Sequence, residues 1–438
     1  MAEILDSMGV AGLSCSVEIF DDILISGFAT VLAVFAKGIG FFMAFKSYMH
    51  VSMKSVDFTA INKIEVLILA ICMGCRHTKD INFDLKPYTA LSYIMNIPRI
   101  PEQSQINRIY HRVDIYNIFE IQQVMDTQIS QYCIPLLDEG KVDIDIDTTG
   151  LVAYGETYEL RRNGYFSHQQ GKKGYQLTAA VTGGDHNFIV AGILDPGNYS
   201  PGCRFFDIIY TVAETLSSLD KIGIIRADRA HGTGPNIEEL VEMDMEFVIK
   251  AFSGKTSVSY INNIGLGNIQ WVEITDIVRV SDIGIQNVPC CAHKVRVVLI
   301  ETIVKKGRIL EKEYTHLYVR LKRDVMDEAE VFNYYGKRQV IESVFDADKN
   351  GLALTALKCR NFIGLSASIS FTFMAYNLLC LFREKVLSEL KLKHLGIKEI
   401  VRRLMDIPAK VKKEDGSIKL IFPKNHPYTK NIGTSEVV

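Results

Sequence analysis

Apolar residues recur at helical spacing along the first third of the chain, then give way near residue 141 to strict alternation. Residues 1–135 therefore read as helical. Few Gly or Pro breaks follow Gly40, apart from the interruption at Ile97-Pro-Arg-Ile-Pro101. Pro101-Glu-Gln-Ser104 then opens a helix carrying Arg108, His111 and Arg112, either a recognition element or a solvated face. From Val142 to Asp147 the period is two, as a strand requires. Tyr175 to Thr182 and Asn187 to Leu194 are two further strands, joined by the turn-forming Gly183-Gly184-Asp185-His186. A helix over Cys203–Ser218, a buried strand over Ile222–Ala227, a helix over Pro235–Glu242 and a strand over Glu246–Phe252 follow. That β-β-β-α-β-α-β order predicts a mixed sheet with helices packed on it. Residues 253–325 are β-branched and alternating, hold the single tryptophan, Trp271, and read as a mostly β insertion. Helix resumes near Val325 and leads to an uncharged apolar run, Phe362 to Phe382, before a basic, Pro-punctuated tail.

Composition narrows the class. With 48% hydrophobic and 23% charged residues, a chain of 438 residues is globular and long enough for two or three domains. A net charge of −2 means that any nucleic-acid contact must come from local basic surfaces. Two such stretches exist, Lys305–Arg323 and Arg383–Lys424, although charge runs are commonly just solvated faces. Nine cysteines spread over the chain read as reduced thiols, and Cys72-Met-Gly-Cys75 lacks the second pair that a zinc site needs. Two apolar runs, Ile23–Phe45 and Phe362–Phe382, raise an integral membrane protein as an alternative. The second is diluted by Ser366, Ser368, Ser370, Thr372 and Asn377, which suits a helix buried beneath a sheet. The start, Met-Ala-Glu-Ile-Leu-Asp, lacks the basic residues of a signal peptide, so a cytoplasmic protein without membrane contact is expected.

The chemistry gathers at three places. Tyr335, Arg338, Glu342 and Lys349 stand at offsets 0, 3, 7 and 14. On one helix at ~100° per residue they project within roughly 60° of one another. Val340, Ile341, Val344 and Phe345 fill the rest of the circumference as a core stripe. A carboxylate, two cations and a phenol in a row suit a metal ion and phosphates, though a solvated face with an Arg–Glu pair would look alike. In Val142–Asp147 the alternation puts Asp143, Asp145 and Asp147 on one sheet face. Such neighbours repel by ~1 kcal/mol or more per pair, which a wet strand end or a divalent cation relieves. Asp228 ends the strand Ile222–Ala227, at the carboxyl edge where ligand chemistry gathers in open α/β sheets. Two strand-borne Asp and a helix-borne Glu can form an all-oxygen site for Mg²⁺ or Mn²⁺.

This constellation resembles the DDE transposases of prokaryotic insertion sequences, in the branch with a Y-(2)-R-(3)-E-(6)-K signature. Tyr335, Arg338, Glu342 and Lys349 match that signature at every spacing. Asp147-Thr148-Thr149 looks like the family's D-x-T, and Arg226-Ala-Asp228 like its second-Asp strand. His168-Gln-Gln-Gly-Lys-Lys-Gly-Tyr175, Leu194-Asp-Pro-Gly-Asn198 and Ile97–Arg108 resemble further stretches of it. Asp145 rivals Asp147 as the first carboxylate; the following Thr149 favours Asp147. Where the family often has a Gly and an aromatic after its second Asp, Ala230 and His231 stand here, and His231 could bring positive charge close to a metal.

The resemblance implies an RNase H-like mixed sheet flanked by helices, with a β-rich insertion and an α-helical N-terminal domain. It divides the chain into a DNA-binding region at 1–135, a catalytic domain at 136–252 and 326–382, an insertion at 253–325 and a basic tail at 383–438. It implies Asp147, Asp228 and Glu342 as catalytic metal ligands for Mg²⁺ or Mn²⁺, two ions in all. Tyr335, Arg338 and Lys349 would contact DNA, and Trp271 could touch a distorted base or simply sit in a core. Double-stranded DNA, as inverted-repeat ends and as target, and a homodimer on that DNA are the implied partners. A catalytically silent DNA-binding descendant is the alternative within the same fold.

Overall fold

The computed structural model describes residues 24–54, 57–87, 89–137, 140–166, 169, 171–307, 309–414, 417–423 and 425–429. His168 and the N-terminal Met-Ala-Glu-Ile-Leu-Asp, both part of the sequence reading, lie outside them. The chain forms two compact units, one built from residues 1–136, 152–161 and 344–438, the other from 137–151 and 162–343.

The first unit begins with β1 (Leu24–Ser26) and α1 (Gly27–Gly38), followed among longer helices by α2 (Ala60–Cys72), α3 (Gln103–Arg112) and α4 (Ile115–Gln128). Local sequence explains where these start. Thr59 caps α2 by accepting from the Asn62 amide, with Asn62 returning the bond, and Asp114 does the same for α4 with Asn117.

The second unit holds a ten-stranded mixed sheet. Its strands are β2 (Val142–Val152), β3 (Arg162–Asn163), β4 (Lys173–Thr182) and β5 (Ile189–Pro196). After α5 (Phe205–Thr215) come β6 (Ile222–Ala227), α6 (Gly234–Glu242), β7 (Phe247–Lys250) and α7 (Gly254–Ile264). β8 (Val272–Thr275), β9 (Val278–Asn287), β10 (Lys294–Lys306) and β11 (Ile309–Val319) complete it. The order runs β3-β4-β2-β6-β7-β11-β10-β9-β8, with β5 on β4. β2, β6 and β7 are parallel, and β4–β5 forms the antiparallel hairpin that the Gly-rich turn predicts. The stretch read as a β insertion opens with a helix, α7. Its strands extend the same sheet, because β11 pairs antiparallel with β7 through Leu317–Lys250 to Val319–Val248. Val248, Val298 and Leu317 are fully buried, so this join is a core seam.

α8 (Glu328–Gly336) is capped by Asp327, which accepts from Ala329 and Glu330. A short 3₁₀ turn, Lys337–Gln339, links it to α9 (Val340–Asn350), within which the chain returns to the first unit. The single helix expected across Tyr335–Lys349 is thus two helices with a tight turn between them. Glycine at 336 weakens the helix at the junction, and the next turn tightens around the inward Arg338.

α10 (Phe362–Phe382) is the long apolar helix, packed on α2, α3 and α4. It is long and apolar enough to cross a bilayer, yet 89% of its most apolar 18-residue window is buried. Its hydroxyls bond backward along the helix, Ser366 to the Phe362 carbonyl at 3.0 Å and Thr372 to Ser368 at 2.9 Å. Polar side chains are therefore satisfied inside an apolar core. β12 (Pro408–Glu414) pairs antiparallel with β1 and with β13 (Ser417–Ile421) to form a small sheet.

Candidate active site

The three aspartates of β2 have three different fates. Asp143 Oδ1 accepts from the Ile224 amide at 2.8 Å, and its other oxygen takes the Tyr334 hydroxyl. Asp145 is almost fully buried and takes a fork from Arg226, Nε to Oδ1 at 2.6 Å and Nη2 to Oδ2 at 2.9 Å. Register makes this pair, since Asp145 and Arg226 are neighbours on β2 and β6. Arg226 continues to the Tyr334 carbonyl at 3.0 Å and lies 4.5 Å from the Tyr334 ring, tying α8 to the sheet. Asp145 is thereby committed to structure, and only Asp147 reaches the site.

Asp147 and Asp228 arrive together because Ile146 pairs with Ala227 in a parallel ladder. One step further stand Asp147, midway along β2, and Asp228, just past the end of β6, where neighbouring backbones are ~4.8 Å apart. Burial raises both carboxyls above their ordinary range, and the nearby Asp228 raises Asp147 further while Arg338 pulls it down. The Thr148 amide bonds Asp147 Oδ1 at 2.7 Å, and the Ala230 amide bonds Asp228 Oδ1 at 2.9 Å.

Arg338 faces these carboxylates. Its Nη1 is 2.9 Å from Asp147 Oδ2 and its Nη2 3.7 Å from Glu342 Oε1. The Arg338 side chain is 10% exposed, that of Glu342 63%. Tyr335 packs beside it, with the guanidinium 5.6 Å from the ring centre, and burial raises its phenol to about 12. The structure thus brings Asp147, Asp228, Tyr335, Arg338 and Glu342 into one neighbourhood, with Arg338 as the bridging cation. Lys349 stands further along α9, in the first unit, lining a pocket of about 350 Å³ with Arg76 and Arg402. Trp271, half-buried just ahead of the edge strand β8, is occupied by Arg279, 4.7 Å from its ring, and by Tyr314.

His231 differs from expectation. It is fully buried, stacked on Phe205 with ring centres 5.1 Å apart, and 3.9 Å from Asp228 Oδ1. Burial lowers its pKa to about 4, so at neutral pH it brings no positive charge to the site. Positive charge near Asp228 comes from Arg338, then Arg229 and Lys250 at the end of β7; burial lowers the pKa of Lys250. Sequence reasoning missed Lys250. A Lys closing the strand beside the Asp228 strand was the available signal.

The donor set suits a hard divalent cation in kind: oxygen ligands only, two of them desolvated and mutually repelling. Among the described residues, no group of three or more His, Cys, Asp or Glu is drawn together around one point, because Glu342 turns to Arg338. The mixed sheet flanked by helices, with Asp147 and Asp228 on adjacent parallel strands, fits a DDE transposase domain. The family model described as Transposase DDE domain group 1 matches residues 26–435, and the chain belongs to that family. No curated protein matches it.

Proposed function

We propose that this chain is the transposase of a prokaryotic insertion sequence of the Y-(2)-R-(3)-E-(6)-K branch. It binds the inverted-repeat ends of its element as double-stranded DNA, cleaves a strand to free a 3′-hydroxyl, and directs that hydroxyl against a target phosphodiester. The observation that carries this reading, beside family membership, is the parallel pairing of Ile146 with Ala227, one residue before Asp147 and Asp228, which interact electrostatically.

Asp147, Asp228 and Glu342 would hold Mg²⁺ or Mn²⁺, in two sites. Bound there, such ions activate an attacking oxygen and stabilise the leaving one. The chain's own residues set the conditions. The partial burial of Asp147 and Asp228 excludes water and leaves their charges poorly solvated, so cation binding relieves them. Arg338 neutralises Asp147 in the absence of substrate, and its fork fits a DNA phosphate once Glu342 turns inward. Tyr335 orients Arg338 through its ring face. Lys349, grouped with Arg76 and Arg402, suits a backbone phosphate. Trp271 remains a candidate for a distorted base. Two protomers hold paired ends, with the helical 1–135 region contributing to DNA binding, in the cytoplasm on the nucleoid.

Glu342→Gln tests this directly. It should abolish Mg²⁺-dependent cleavage of end DNA while end binding stays within a few-fold of wild type. Full cleavage by that variant overturns the assignment. Intact end binding by a wild-type chain that never cleaves would instead identify a silent DNA-binding descendant.

A further inference from the structure

A cleft of about 800 Å³ opens in the second unit at the sheet end opposite the catalytic aspartates. Lys141, just before β2, Lys294 at the start of β10, and Arg320 to Arg323 after β11 line it. From Val142 to Asp147 the strand rises ~17 Å, so the cleft is distinct from the candidate active site. Six Lys and Arg side chains face four acids there. Two acids are already engaged, Asp244 by Arg320 and Asp282 by Arg296. Lys141, Lys294 and Lys322 are exposed and stand in no ion pair with a described residue, so the opening is net positive.

The floor is built. Arg296 is 5% exposed and is fixed by Asp282 at 2.9 Å and by the Met326 carbonyl at 2.8 Å. Its remaining nitrogen, Nη2, is buried and has no hydrogen-bond partner among the described residues. Held beneath the cleft surface, the Arg296 guanidinium adds fixed positive charge to the floor. Among the described residues no aromatic side chain lines the cleft, so none of them stacks on a base there. Recognition by charge without a base platform fits the phosphates of a polymer backbone better than a free nucleotide.

We propose that this cleft is a second phosphate site that engages the backbone of double-stranded DNA, with Arg296 as its floor and Lys294 and Lys322 as its rim. The anion site stands on its own geometry; DNA as the occupant rests on the transposase reading.

The test is fluorescence anisotropy of the full chain on a labelled duplex of arbitrary sequence, without divalent metal, across a salt series. Lys294→Gln/Lys322→Gln removes two rim charges and should make the slope of log affinity against log salt shallower by about 2. Arg296→Lys, if it folds, should weaken duplex binding as well. The rim variant decides the matter if it does not. An unchanged slope in a rim variant with wild-type melting temperature overturns the proposal. Pyrophosphate binding that the rim variant loses, with the duplex slope unchanged, also overturns it and assigns the cleft to small free phosphates. Because no cleavage is scored, a chain inactive on end DNA can still show the slope change, so failure of the transposase reading is distinguishable.

Discussion

His231 is enclosed completely, and neither of its ring nitrogens has a hydrogen-bond partner among the described residues. Its pKa falls from about 6.5 in an unfolded chain to about 4 in the fold. Between those values the unfolded chain binds more protons, so stability is full above pH 6.5 and declines as pH falls toward 4. The loss is on the order of 3 kcal/mol for this one residue. His231→Phe keeps the stacking on Phe205 and removes the proton uptake. Urea midpoints at pH 7.5 and pH 5 should therefore lie closer together in that variant than in wild type. His316, also lowered to about 4, leaves a remaining acid sensitivity. An unchanged gap would show that His231 does not carry it. Such a residue marks what was readable in the sequence and what was not. Spacing singled out Asp147, Asp228, Arg338 and Glu342 as candidates, because strand-borne carboxylates and a polar helix edge have recognisable periods. It could not separate Asp145 from Asp147, since both share one strand face. The D-x-T match through Thr149 favoured Asp147, and the β2–β6 register adds a geometric reason by seating Arg226 beside Asp145. Nor could it tell that His231 is neutral or that Lys250 approaches Asp228, because both depend on burial.

At the scale of elements, the segment from α8 to α9 carries Tyr335, Arg338 and Glu342, with a 3₁₀ turn at Lys337–Gln339 between its two helices. Gly336 holds helical angles, φ −58° and ψ −31°, and a Cβ there would meet nothing within 4 Å. Its glycine is thus not required by space or by backbone conformation. Gly336→Ala should raise stability by ~0.5–1 kcal/mol through the unfolded chain's lost freedom and better helix propensity. A shifted denaturant midpoint with an unchanged slope would register it; a lower midpoint would mean that the turn depends on flexibility at 336. Most elements were legible from period and punctuation: the β2 alternation, the Gly-rich hairpin turn, and the helix and strand leading to Asp228. The break at Lys337–Gln339 was not, because hydrophobic spacing is nearly the same for a continuous helix and one tightened for a single turn. The continuation of the sheet through β8–β11 was also hidden, since alternation reveals a strand but not its partner.

For the molecule as a whole, the most ambiguous sequence feature is α10. Twenty-one uncharged residues span ~31 Å, enough for a bilayer, and composition alone leaves both fates open. The surrounding chain decides between them. α2, α3 and α4 cover α10, and most of its side chains are buried within the first unit, including Phe371, Phe373 and Phe382 at 1% exposure or less. A helix already enclosed by protein presents too little apolar surface to gain from lipid. That unit is assembled from stretches far apart in sequence, residues 1–136 with 344–438, which is why no local window shows what covers α10. The full chain expressed without detergent should therefore stay in the supernatant after high-speed centrifugation. Recovery only from detergent-extracted membranes would mean that α10 leaves its helical partners for the bilayer, and would remove the basis for treating it as the first unit's core.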